Sequence, residues 1–267
     1  TITLVNNDTD ITPWDVGCHA SRTTFIGGNA AIFAARDARN QLLEAAGEVF
    51  EISPEDLDIY DGVIFPKDAP SKGMPFEKVV RRKHFQSGGD LIIGKGFYDP
   101  PTTLLSPKDS HGNVSAAYTF AGQAVEVEVD TETGQVTVVN ASVAHDIGKT
   151  INPVGLEGQI EGGAVMGLGY ALFEESEIEE GRVINPTFAD YHLATSLDAP
   201  PLQIKMVETN DPEGPFGAKG IGECASIALA PAIANAIYDA VGVRVYSLPM
   251  TPQKVYQAII KKKMNKA

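Results

Sequence analysis

Glu223 is the side chain whose surroundings best suit proton transfer. It closes the segment Gly214-Pro215-Phe216-Gly217-Ala218-Lys219-Gly220-Ile221-Gly222-Glu223, in which four glycines surround one carboxylate directly ahead of an apolar stretch. Glycine permits a close backbone approach that a side chain would block. A glutamate abutting a buried helix can be desolvated toward the range useful to a general base. Two plainer uses stay open: an ion pair with Lys219 four residues earlier, or an answer to the dipole at a helix start. A second segment, Asn152 to Gly163, sets Gln159 among small residues, which implies close packing against another element or a ligand. A third, Ala20-Ser21-Arg22-Thr23-Thr24, is donor-rich and precedes a helical pattern, a setting for an anion or for ordinary capping.

Other chemistries lack their residues. A phosphate-binding P-loop needs Ser or Thr after its lysine, and Lys219 is followed by Gly220. There is no G-x-S-x-G elbow and no H-E-x-x-H helix, and both Gly220-Ile221-Gly222 and Gly167-Leu168-Gly169 lack the third glycine of a dinucleotide fingerprint. Cys18 and Cys224 are the only cysteines, so no disulfide framework, structural zinc site or iron–sulfur cluster can be built from this chain alone.

The elements that must position these residues read as follows. Ile2 and Leu4 alternate as in a strand. Alanines at helical spacing predict a long helix from Asn29 to about Ala46, which puts Ser21, Thr23 and Thr24 just before its amino terminus. Ser53-Pro54 reads as a capped turn, Leu57–Tyr60 and Val63–Phe65 as a hairpin turning at Asp61-Gly62, and Phe76 to His84 as a helix. Its basic run, Arg81, Arg82 and Lys83, is either a solvated face or a contact for substrate phosphates. Residues 86–115 read as a long loop. Ala124–Val129 and Gln135–Val139 form the clearest strand pair. Glu157 to Leu172 reads as a Gly-rich helix and Ala225 to Val241 as an apolar helix interrupted at Pro231. Thr251-Pro252 caps a last helix that ends in a basic tail, Lys261 to Lys266. Strands and helices mix without βαβ alternation, so the expected class is α+β. The expected lobes are 1–115 and 116–267, intertwined or fused into one domain.

With 267 residues and 43% hydrophobic content the chain can bury a sizeable core. A net charge of −14 disfavours nucleic acid and anionic membranes and favours a small-molecule substrate or a protein partner. No apolar run is expected to approach the ~20 residues that cross a bilayer, and residues 1–12 lack a signal pattern, which makes the cytoplasm the default compartment. The opening on Thr1 inside an apolar alternation suggests an isolated domain, a cleaved product or a fragment.

Taken together, Gly217–Glu223, Gly158-Gln159-Ile160-Glu161-Gly162 and Ala20–Thr24 resemble, in order and separation, three cofactor-contacting segments of the molybdenum hydroxylases, the xanthine dehydrogenase and aldehyde oxidase family. Thr251–Val255 is similar to the start of that family's final helix. The resemblance runs the length of the chain and covers the carboxy-terminal half of the molybdopterin-binding subunit. It implies that Glu223 is the general base at a molybdenum-bound hydroxyl, and that Ala20, Ser21, Thr23, Thr24, Gln159 and Gly222 bind molybdopterin, in its plain or cytosine dinucleotide form. Cys224 departs from the Pro common after the glutamate.

Iron–sulfur clusters and FAD would then sit only on partner chains, alongside the missing first half of the molybdopterin site. Gly17–Arg22 and Gly214–Gly217 look closest to the 4-hydroxybenzoyl-CoA reductase alpha subunit and nicotinate dehydrogenase branches. The implied reaction is hydroxylation or reductive dehydroxylation of an aromatic, heteroaromatic or aldehyde substrate. The rival expectations are an inert piece that completes a partner's site, which apolar surface retained around residues 1–30 would favour, and a simple ligand-binding module.

Overall fold

The computed structural model describes residues 8–265. The strand expected at Ile2 and Leu4 lies outside them, as does Lys266 of the basic tail. The architecture is α+β, as expected, and the chain divides into two compact units: residues 24–116, and residues 8–23 together with 117–265. The division expected by sequence ran at 115/116.

In the unit of residues 24–116, helix α1 (Thr23–Phe50) starts six residues before the alanine pattern, because Phe25 and Asn29 are buried one turn apart and continue the inward face past Gly27 and Gly28. Strands β1 (Leu57–Tyr60), β2 (Val63–Pro66) and β3 (Met74–Pro75) form an antiparallel sheet in that order. The β1–β2 turn is Asp61-Gly62, both at positive φ (46° and 75°), the two-residue hairpin geometry that matches strand twist. Helix α2 (Phe76–Gln86) buries Val79 beside Leu43, Ala46, Leu57 and Ile64. Ser53 makes no side-chain cap; Pro54 supplies the turn through its fixed φ instead. Lys83 pairs with Glu48 at 3.6 Å and the Arg81 guanidinium lies over the Phe85 ring, so two of the three basic residues have partners on the protein.

Residues 87–116 carry no helix or strand, as expected, yet are tied down. Gln41 acts as a surrogate peptide, donating to the Ile93 carbonyl and accepting the Ile93 N–H, while Asp37 one turn earlier accepts the Lys95 N–H.

The other unit is built on a sheet ordered β4 (Ala121–Val129), β5 (Val136–Gly148) and β8 (Leu202–Glu208). β4 and β5 pair antiparallel across the turn 130–134, and β8, unforeseen in sequence, lies parallel to β5. Helix α3 (Pro153–Leu172) follows β5, and its N-cap Asn152 accepts the Gly155 N–H. It starts four residues before the expected helix. A small hairpin, β6 (Ile178–Glu179) and β7 (Arg182–Val183), precedes β8.

The expected apolar helix is two pieces, α4 (Cys224–Ile227) and α5 (Leu229–Val241), broken at Ala228 ahead of Pro231. Contrary to the expectation that no apolar run approaches spanning length, Cys224–Val241 is long and apolar enough by length and composition to cross a membrane. Its Leu229, Ile233 and Ile237 are fully buried, and α5 packs on β4. Helix α6 (Pro252–Met264) is capped by Thr251, whose hydroxyl accepts the Lys254 N–H. The core joins Val136, Val138 and Val143 of the sheet to Ile160, Leu168, Leu229, Ile233, Val255 and Ile259 of the helices.

Candidate functional site

Glu223 stands at the end of the glycine loop, in the N-cap position of α4, with its side chain exposed and making no cap hydrogen bond. Its partner is Ser21, 202 residues away in sequence and within the same unit. The Ser21 hydroxyl accepts the Glu223 backbone N–H at 2.9 Å and donates to Oε2 of the Glu223 carboxylate at 3.0 Å. One hydroxyl therefore fixes both the start and the tip of the glutamate. Ala20 and Ser21 are both left-handed (φ 50° and 53°), a strained pair that turns the chain into position. The glycines on the facing loop are needed for this approach. A Cβ at Gly220 would overlap the Ser21 carbonyl oxygen, and one at Gly222 would stand 3.1 Å from the Ser21 hydroxyl.

Gln159, on the exposed face of α3, donates its side-chain amide to the Gly222 carbonyl at 3.5 Å, at the limit of a hydrogen bond. Ala20, Ser21, Gln159, Gly222 and Glu223 are thus brought together from three segments. Thr23 opens α1, so Thr23 and Thr24 lie in its first turn rather than ahead of it, and contribute N–H groups that the helix leaves unpaired. Thr24 is the first residue of the other unit. The burial that sequence offered as a way to tune Glu223 is not provided by this chain, in which the residue is exposed.

Of the two plainer uses of Glu223, the pair with Lys219 fails on geometry, while the helix-start position is kept, since Glu223 is the N-cap of α4. Lys219 points away and bonds Oδ2 of Asp146 at 2.7 Å, with Asp211 at 3.7 Å, while the Glu223 side chain makes no cap hydrogen bond to α4. Beyond this pair, sequence reasoning missed His145, which is wholly buried with Nε2 3.5 Å from the Gln123 amide nitrogen; that amide donates to the Ala225 carbonyl at 2.7 Å. Burial pushes the imidazole pKa down, so the ring is neutral near pH 7. The available signal was two polar residues, His145-Asp146, closing a strand whose alternation had been apolar on one face.

The residues gathered here fit a flat, anionic, hydrogen-bonding cofactor. Gly158 and Gly162 leave open space above α3, with nothing within 4 Å of a built Cβ at either position. On the same helix stands the Gln159 amide, which reaches the Gly222 carbonyl next to the fixed Glu223 carboxylate. Among the described residues no cluster of three His, Cys, Asp or Glu could hold a bare metal ion. An α+β unit that presents such a set around a single glutamate is of the class that cradles a large organic cofactor.

Known proteins agree. A family model described as molybdopterin cofactor-binding domain matches residues 1–200. The gamma subunit of the 6-hydroxypseudooxynicotine dehydrogenase complex of Paenarthrobacter nicotinovorans is 34% identical over 96% of this chain and 32% of its own length. The xanthine dehydrogenase molybdenum-binding subunit of Escherichia coli O157:H7 is 32% identical over 95% and 33%. The crystal structure of quinoline 2-oxidoreductase from Pseudomonas putida 86 superposes with a TM-score of 0.80 at 32% identity, covering 94% of this chain and 32% of that one. The chain belongs to the molybdopterin cofactor-binding domain family of the molybdenum hydroxylases. It spans about a third of the length of the curated relatives it matches.

Proposed function

We propose that this chain supplies the general base and one side of the cofactor cradle of a molybdenum hydroxylase acting on an aromatic, heteroaromatic or aldehyde substrate. The observation that carries the reading is the Ser21–Glu223 contact, which fixes the position of one carboxylate at the end of the glycine loop. When bound, the cofactor supplies oxygen-atom transfer and accepts two electrons. Glu223 takes up a proton at its free Oε1, with Oε2 held by Ser21. Ala20, Ser21 and Gly222 shape the edge of the cradle by backbone, Gln159 offers its amide, and Thr23 and Thr24 offer the helix-start N–H groups to a phosphate. Electrons leave through iron–sulfur and FAD groups on partner subunits, and the assembly resides in the cytoplasm. Of the branches, the coenzyme A thioester and N-heterocycle enzymes suit the residues best. Arg82 is exposed on α2, and the coenzyme A reading gives it a substrate phosphate to meet.

A second reading, an inert piece that only completes a partner's site, draws support from exposed Ile11, Trp14 and Val16, an apolar surface at the start of the chain. One experiment separates the two. Glu223→Gln in the full-length protein with its native partners should lower kcat at least ~100-fold, the scale of a lost general base, while molybdenum and released pterin stay at wild-type levels. Wild-type turnover in that variant would favour the inert piece.

A further inference from the structure

Lys219 and Asp146 are buried together, each side chain only 8% exposed, behind the glycine loop that ends at Glu223. Their bonds reach well beyond each other. The Lys219 ammonium also donates to the Tyr118 carbonyl at 2.7 Å, and Asp146 accepts the Thr209 hydroxyl at 2.6 Å and the Gly148 N–H at 3.1 Å. The main chain follows the same path. Lys219 N–H donates to the Ile147 carbonyl, and Asp211 N–H donates to the Gly217 carbonyl. A Cβ at Gly148 would overlap the Gly217 carbonyl oxygen. Phe216 and Gly217 take positive φ (52° and 87°) to bring Lys219 inward. The loop is therefore pinned at two points: at Lys219 by the ends of β5 and β8, and at Gly220 to Glu223 by the Ser21 turn.

We infer that the Lys219–Asp146 pair is a positioning device for Glu223, which rests on the reading of Glu223 as the base. The ion pair sets where the loop leaves the sheet; four residues later that sets where the carboxylate stands. A buried pair of this kind contributes little net stability compared with neutral replacements, whereas removing one partner strands a charge. Its value here lies in geometry.

The test uses the full-length protein with its native partners and compares Lys219→Met, the double variant Asp146→Asn/Lys219→Met, and Glu223→Gln. Lys219→Met strands Asp146 and Asp211 and should melt early. The double variant removes the stranded charge at residue 146. It should melt close to wild type and keep its molybdenum and pterin, yet show kcat reduced at least 10-fold with KM unchanged. Hydrogen exchange at the Gly222 and Glu223 amides should be at least 10-fold faster. A double variant with wild-type kcat and exchange overturns the inference. So does one that melts or loses cofactor as badly as Lys219→Met, since the pair then serves the fold alone. If Glu223→Gln keeps full turnover the base reading fails, while the amide exchange still decides whether the pair positions the loop.

Discussion

At the scale of single residues, Ser21 matters because one oxygen is used twice, as acceptor for the Glu223 N–H and donor to its carboxylate. Removing it should cost turnover without emptying the cradle. Ser21→Ala and Ser21→Gly should lower kcat by a similar factor, about 10-fold, since both abolish the contact that orients the base. Their stabilities should differ. Ser21 sits at φ 53°, a conformation costing an L side chain ~1–2 kcal/mol that glycine does not incur, so Ser21→Gly should unfold at higher denaturant than Ser21→Ala. Equal midpoints would mean that the turn relaxes. The identities of Ser21 and Glu223 were legible in sequence because their neighbours are unusual. The direct bond between them was not, since nothing in a one-dimensional pattern pairs residues 202 apart.

At the scale of elements, α3 shows two kinds of glycine. A Cβ at Gly163 would stand 2.6 Å from the Ala225 Cβ, and at Gly167 2.9 Å from the Leu229 Cβ, so these positions let α3 lie close on α4 and α5. Gly158 and Gly162 meet nothing. Gly163→Ala should therefore destabilise by about 1–3 kcal/mol through overpacking. Gly158→Ala and Gly162→Ala should stabilise this chain by up to ~1 kcal/mol through helix propensity. Thermal or urea melts of the three variants check this, and a destabilising Gly162→Ala would refute it. Sequence foresaw a Gly-rich helix and asked whether its glycines pack or face a ligand; Gly163 and Gly167 pack, whereas Gly158 and Gly162 face open space.

Most helices and the β1–β2 and β4–β5 hairpins were legible from periodicity and turn residues. The parallel strand β8 was missed although Leu202, Ile204 and Met206 alternate with Gln203 and Lys205, because the partner that makes such a run a strand lies some 60 residues upstream. Helix α1 was read too short because Gly27 and Gly28 interrupt the pattern that Phe25 and Asn29 in fact continue.

At the scale of the molecule, acid should weaken the sheet-based unit in two stages. Burial holds the His145 pKa below 6.5, so as pH falls past about 6.5 the unfolded chain binds a proton that the folded one refuses, and stability declines. Burial pushes Asp146 up, but bonds from Lys219, Thr209 and the Gly148 N–H outweigh it and leave the carboxyl below 3.8. The Lys149 ammonium and the Thr150 N–H hold Glu208 at about 2, down from 4.5. Both carboxylates stabilise the fold above ~4.5 and lose that contribution as pH falls through their folded values. Urea midpoints from pH 8 to 2 should show both limbs, and His145→Gln should erase the first. A first limb that persists in His145→Gln would assign it elsewhere.

The pairing of Ser21 with Glu223 also bears on the order of events during synthesis. A ribosome adding ~5–20 residues per second needs about 10–40 s to cover the 202 residues between them. Residues 24–116, a compact unit in their own right, are complete well before the glutamate loop exists. The strained Ser21 turn has no partner until residue 223 has been made, so the base can be set in place only after the glutamate loop has emerged.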